Sequence, residues 1–94
     1  MKIINWEIAE KFARKHPLSR NPLNSWQLTV IEASWQSVTD VRSTFNSMDY
    51  TRKGNFLFHL RTHTFRFVAR INFAAQTVWL IQVLTHAEYD KMDL

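Results

Sequence analysis

The sequence predicts an α+β fold, with two N-terminal helices packed on one face of a three- to four-stranded antiparallel sheet and a short C-terminal helix closing the chain. Three observations predict it. Up to about residue 45 the apolar residues recur every three or four positions. Beyond residue 46 the period falls to two. Finally a β-branched run, Val78 to Leu84, ends abruptly in the polar sequence T-H-A-E-Y-D-K, residues 85–91.

The elements follow in order. Asn5 can cap a first helix running to about His16, with Glu7 in its first turn, Ile8 and Phe12 on one face, and Lys15 and His16 at the negative end of the helix dipole. Pro17 stops it. Asn21-Pro22 reads as a cap followed by Pro at the first helical position. Leu23, Trp26, Val30 and Ala33 then carry a second helix to about Trp35, the two helices forming an antiparallel hairpin. Thr39 and Asp40 suggest one more short helical turn through Phe45. Met48 to Thr51 reads as a short strand, and Arg52-Lys53-Gly54-Asn55, with the only glycine of the chain, turns it into Phe56 to Leu60. In 64–73, Phe65, Phe67, Ala69, Ile71 and Phe73 alternate with Arg66, Val68, Arg70 and Asn72, a strand with one greasy and one basic face. Ala74-Ala75-Gln76 connects it to a last strand, 77–84. Thr85 and Glu88 have capping-box spacing, which begins a short helix at His86.

Ninety-four residues with 46% hydrophobic content, four Trp and seven Phe make one domain, 1–94, with a real core, and set a disordered chain aside. The absence of Cys removes disulfides, thiolate nucleophiles and Cys-based zinc sites. Glu7, Glu10 and Lys11 interrupt the N-terminus before any signal peptide or membrane span develops, so a soluble, cytoplasmic protein is expected. The formal charge is +4, and its placement is uneven: no acid lies between Asp49 and Glu88, where Arg52, Lys53, Arg61, Arg66 and Arg70 fall with His59, His63 and His86. Basic residues interleaved with aromatics are the footprint of a polyanion binder, although a solvated strand face would look the same.

If the aromatic set of 65–73 lies under the helices, Arg66 and Arg70 project from the opposite, open face, roughly 13 Å apart. An antiparallel last strand then returns His86 to the neighbourhood of Arg66, with Tyr89 one helical turn further on. Cleaving RNA without a metal needs removal of the 2′-hydroxyl proton, stabilisation of the charged phosphate and protonation of the 5′-oxygen. His86 is the natural acid or base, Arg66 and Arg70 can hold the phosphate charge, and Tyr89 can stack on a base or donate a proton. Glu88 and Asp90 serve the helix start. The bland alternative is a C-terminal turn over a sheet edge. His59-x-x-x-His63 could tempt one towards zinc, but four residues of extended strand separate the rings too far to share a metal unless the turn brings them together. Of the aromatics, Trp79 and Tyr89 remain as stacking candidates.

The stretches F-R-F-V-A-R-I-N-F (65–73), V-W-L-I-Q-V-L-T-H-A-E-Y-D-K-M (78–92) and D-V-R-S-T-F-N-S-M-D-Y (40–50) resemble the HigB-type toxins of the RelE/ParE superfamily, whose members end in a similar strand followed by T-H-x-E-Y-D. The resemblance implies a RelE-like, metal-independent endoribonuclease without a cofactor. Such a toxin cuts mRNA on the translating ribosome and is held inactive by a helix-turn-helix antitoxin, HigA. It also implies functional roles for Arg66, His86 and Tyr89, with Arg70 and Lys91 as RNA contacts, to which Arg61 and Lys53 add positive charge. The chain departs from the pattern at Ile81, where many relatives carry Lys or Arg, and at Arg61-Thr62-His63, where many have a Gly/Asn-rich hairpin. Two alternatives stay open: a gyrase poison in the ParE manner, since this fold hosts both activities, and a binding module whose catalysis has eroded.

Overall fold

The computed structural model describes residues 1–60 and 65–91, with the side chains at 60, 89 and 90 excepted. The elements run β1 (Lys2–Ile4), α1 (Glu7–Lys15), a 3-10 turn (Pro17–Ser19), α2 (Arg20–Glu32), α3 (Val38–Thr44), β2 (Asp49–Tyr50), β3 (Phe56–Leu60), β4 (Phe65–Asn72), β5 (Thr77–Thr85) and α4 (His86–Asp90). The described strands form one five-stranded sheet in the order β1-β5-β4-β3-β2.

The sheet corrects the expected count and direction. It is mixed, because β1 pairs parallel to β5, with Ile3 beside Val78, while the other pairings are antiparallel. Three residues are too short to show a period of two, which is why Lys2-Ile3-Ile4 reads as a lead-in to a helix. Neither asparagine serves as the expected cap. Asn5 instead has a φ of 70°, a left-handed turn that Asn tolerates better than most residues, and it lets the chain swing from β1 into α1. At Asn21 the helix has already begun, since the 3-10 turn at Pro17 leads straight into Arg20. The third helix starts where Ser37 accepts a hydrogen bond from the Asp40 amide.

The main core lies on one sheet face. Ala9 and Ala13 from α1, Leu23, Trp26 and Val30 from α2, and Val41 from α3 pack on Phe56, Phe58, Phe67, Ala69, Val78, Leu80 and Val83. Trp26 sits at its centre, with ring centroids 4.7 Å from Phe67, 5.4 Å from Phe58 and 6.0 Å from Trp6. The amino group of Met1 donates 2.9 Å hydrogen bonds to the carbonyls of Val30, Ile31 and Ala33 at the end of α2.

The turn between β2 and β3 is as the sequence implied. Gly54 has a φ of 85°, its amide donates to the Thr51 carbonyl, and Thr51 and Asn55 close the loop. No helix among the described residues is long and apolar enough to cross a membrane.

Candidate active site

The antiparallel pairing of β4 with β5 sets Phe65 beside Thr85 and Arg66 beside Leu84, so the residue after the last strand emerges over Arg66. Nη2 of Arg66 lies 3.2 Å from Nδ1 of His86. An arginine can only donate, so Nδ1 accepts and the proton of a neutral His86 ring sits on Nε2. Position 86 is exposed.

A reciprocal pair of hydrogen bonds fixes the imidazole's base. The Thr85 amide donates to Oε1 of Glu88 at 3.0 Å and the Glu88 amide donates to Oγ1 of Thr85 at 3.2 Å, the capping box expected from the spacing. Both bonds make His86 the first residue of α4. The Glu88 carboxyl is held below its ordinary value of 4.5, first by the Thr85 backbone N–H, then by the Thr85 hydroxyl, with small help from His16 and Lys15 against a slight burial penalty. A depressed carboxyl contributes stability that is present above 4.5 and is lost as pH falls through the lower folded-state value. Thr85→Ala removes the bond from the Glu88 amide to Oγ1 and keeps the backbone N–H that holds the carboxyl. It is therefore expected to cost about 0.5 kcal/mol in urea melts, the low end for an exposed cap, and to keep most of that cost once Glu88 is protonated.

Arg66 departs from expectation in one respect. It lies on the face opposite the main helices, but it is only 5% exposed. That face is not open at this end. Leu57, Val68 and Leu84 form a second buried cluster there, with Arg66 next to Val68 and Leu84 in the sheet. The guanidinium works from beneath His86 rather than standing free in a groove.

The strand pairing adds a second polar pair that the sequence reading did not single out. His59 is the direct partner of Arg66 across β3 and β4, and its Nε2 lies 2.8 Å from Oδ2 of Asp49 on β2. The His59 side chain is 11% exposed and that of Asp49 is 68% exposed. From Asp49 through His59 and Arg66 to His86, four ionisable side chains cross one sheet face in a row. The signal was present in the short turn at 51–55, which fixes Asp49 opposite Leu57 and on the same face as His59.

A family profile described as HigB toxin, the RelE-like toxic component of a toxin-antitoxin system, matches residues 19–92. The chain belongs to the HigB toxin family. An antitoxin is accordingly its partner. Among curated proteins it is similar to the mRNA interferase HigB of Escherichia coli O6:H1, 28% identical over 94 residues that cover 98% of this chain and 91% of that relative.

The remaining expected site residues of this HigB toxin divide into two groups. Arg70 and Lys53 meet at the far end of the same face, where Nη2 of Arg70 donates to the Lys53 carbonyl at 2.9 Å, and Trp79 is the partner of Arg70 across β4 and β5. They are displaced along the strand from Arg66 and His86. Lys91 is exposed just after α4, its amide bonded to the Glu88 carbonyl. Tyr89 follows His86 by three residues on α4, but its side chain lies outside the described residues, as do Arg61 and His63 entirely. Ile81 is the extra residue of a β-bulge, since Val68 pairs with Gln82 and Ala69 with Leu80, and it is exposed. Among the described residues no three His, Cys, Asp or Glu side chains gather into a metal-holding group.

Proposed function

We propose that this HigB toxin is an mRNA interferase, a metal-independent endoribonuclease that cuts messages on the translating ribosome. In this reading it acts in the cytoplasm as one domain, residues 1–94, and is silenced by a helix-turn-helix antitoxin of the HigA type. The observation that carries the reading is the contact of Arg66 with Nδ1 of His86, which sets an exposed imidazole against a fixed positive charge and leaves the ring proton on Nε2. A neutral imidazole so held is an electrophile for a phosphate or a departing oxygen. The E. coli relative that bears the name mRNA interferase supports cleavage of messages as the activity. Arg70, Lys53 and Lys91 extend the positive surface for the message backbone, Arg61 adds a further positive charge in the sequence, and Tyr89 follows His86 by one helical turn for a base or a proton.

The chemistry predicts the form of the products. Attack by a 2′-hydroxyl leaves a 2′,3′-cyclic phosphate and a 5′-hydroxyl, whereas metal-assisted hydrolysis commonly leaves a 5′-phosphate. Induction of the chain is therefore expected to create new 5′-hydroxyl ends inside translated messages, detected by ligation that distinguishes the two termini. Growth arrest with no new ends would favour a gyrase poison, and 5′-phosphate ends would exclude the metal-independent route.

A further inference from the structure

Three of the four tryptophans have an aromatic neighbour, Trp6 and Trp26 stacked on each other and Trp35 edge-on to Phe45. Trp79 has none among the described residues, and it joins neither buried cluster. The cause lies in the sheet. Val78 and Leu80 point into the main core, so Trp79 between them points to the other face, where it is half-buried beside Arg70 on β4 and Ile4 on β1. Arg70 does not cover the ring. Its Nη2 donates to the Lys53 carbonyl in the turn before β3, on the side of β4 away from β5, which draws the guanidinium off the indole.

We propose that Trp79 is the stacking platform of a nucleotide subsite, taking one base of the message while Arg70 holds a neighbouring phosphate; the proposal rests on the ribonuclease reading above. Charge favours that occupant. β1, β4 and β5 contain no acidic residue, and Lys2 and Arg70 on the strands beside Trp79 are exposed, as is Lys53 in the adjoining turn. An apolar partner would leave these cations without counter-charge, whereas a nucleotide sets a flat base on the ring and a phosphate on the guanidinium. A guanidinium carries five N–H groups, so the bond to Lys53 fixes Arg70 in place and still lets it take a phosphate oxygen.

Position limits which nucleotide is held. Arg66 and Arg70 are four residues apart on β4, roughly 13 Å, so a base on Trp79 belongs to a nucleotide roughly two steps from the phosphate at Arg66 and His86. Trp79 is thus a binding residue and touches none of the reacting atoms. Every base presents a π face to an indole, so the subsite adds affinity and fixes the message in place without reading its sequence.

The test measures kcat and KM on ribosomes programmed with a defined message. Trp79→Ala is expected to raise KM by about tenfold or more, within the usual contribution of one stacked base, and to change kcat by less than about threefold. Trp79→Phe, which keeps an aromatic face, should recover most of the loss, and Trp79→Leu, which keeps apolar bulk alone, should not. Urea midpoints of these two variants, compared with each other, separate lost stacking from lost folding. An abasic ribose placed in turn at each position within about three nucleotides of the cut should raise KM at one position for the wild type, and have no further effect there for Trp79→Ala. Arg70→Ala should weaken the dependence of KM on salt by about one ion, while Trp79→Ala leaves that dependence unchanged. A Trp79→Ala protein with wild-type KM, or a Trp79→Leu protein as good as Trp79→Phe, overturns the assignment, whether or not the antitoxin is still held. A wild-type protein that leaves the message uncut would instead overturn the ribonuclease reading itself.

Discussion

Replacing His86 with alanine is expected to lower single-turnover cleavage on programmed ribosomes by about 10²–10⁴-fold, the usual contribution of a positioned proton donor. The urea midpoint should barely move, because position 86 is exposed and the capping bonds of α4 come from Thr85 and Glu88. Arg66→Ala should cost about 10²–10³-fold on the same assay, as for loss of one charge-stabilising donor. The double variant is the sharper measurement. If Arg66 acts by fixing the tautomer of His86 and supporting the charge on its ring, the two losses are far from additive, and the double variant is hardly worse than His86→Ala. Additive losses would mean that the guanidinium serves the phosphate independently of the imidazole. Arg66→Lys should not rescue, since one ammonium on a flexible stem cannot reproduce a planar fork held against Nδ1 of His86.

Trp26→Ala is expected to destabilise the fold by about 3–5 kcal/mol, seen as a large drop in the urea midpoint with little change in slope. Trp26 is among the largest fully buried side chains and touches aromatic rings on α2's neighbours from two strands and from Trp6. Against a typical net stability of about 5–15 kcal/mol, the loss removes about a fifth or more of what holds the domain together. Toxicity should fall with it, through loss of folded protein rather than loss of chemistry, which separates this variant from His86→Ala. Trp26→Phe should behave quite differently. The indole Nε1 is buried without a hydrogen-bond partner among the described residues, so phenylalanine gives up area but also removes an unsatisfied donor that costs about 1–3 kcal/mol. A near-neutral Trp26→Phe beside a crippling Trp26→Ala is the expected pattern.

Local signals carried most of the architecture into the sequence. Alternation in 65–73 gave the inward set correctly, because a strand buried on one face must obey a period of two, and Phe65, Phe67, Ala69 and Ile71 do pack beneath the helices. Thr85-x-x-Glu88 announced α4 for the same local reason. The proximity of His86 to Arg66 followed from antiparallel return alone. What escaped depends on contacts distant in sequence. β1 gains its identity only by lying against β5, so its three residues hold no signal of their own. The bulge at Ile81 could not be read from apolar residues that look continuous on both sides of it. Arg66 is buried on the face that carries the cluster of Leu57, Val68 and Leu84, of which alternation had set Val68 on the open side. The Asp49–His59 pair required a hairpin register, which the sequence supplies only when the turn at Gly54 is counted residue by residue.

The parallel seam between β1 and β5 bears on how such a protein is made. Residues 2–4 are made before the rest of the sheet and find their neighbour in its last strand, with His86 later still. A nascent chain that has not reached Thr77 can neither close its sheet nor assemble the row from Asp49 to His86. The sheet and the Arg66–His86 contact can thus form only late in synthesis, a timing that follows from strand order alone.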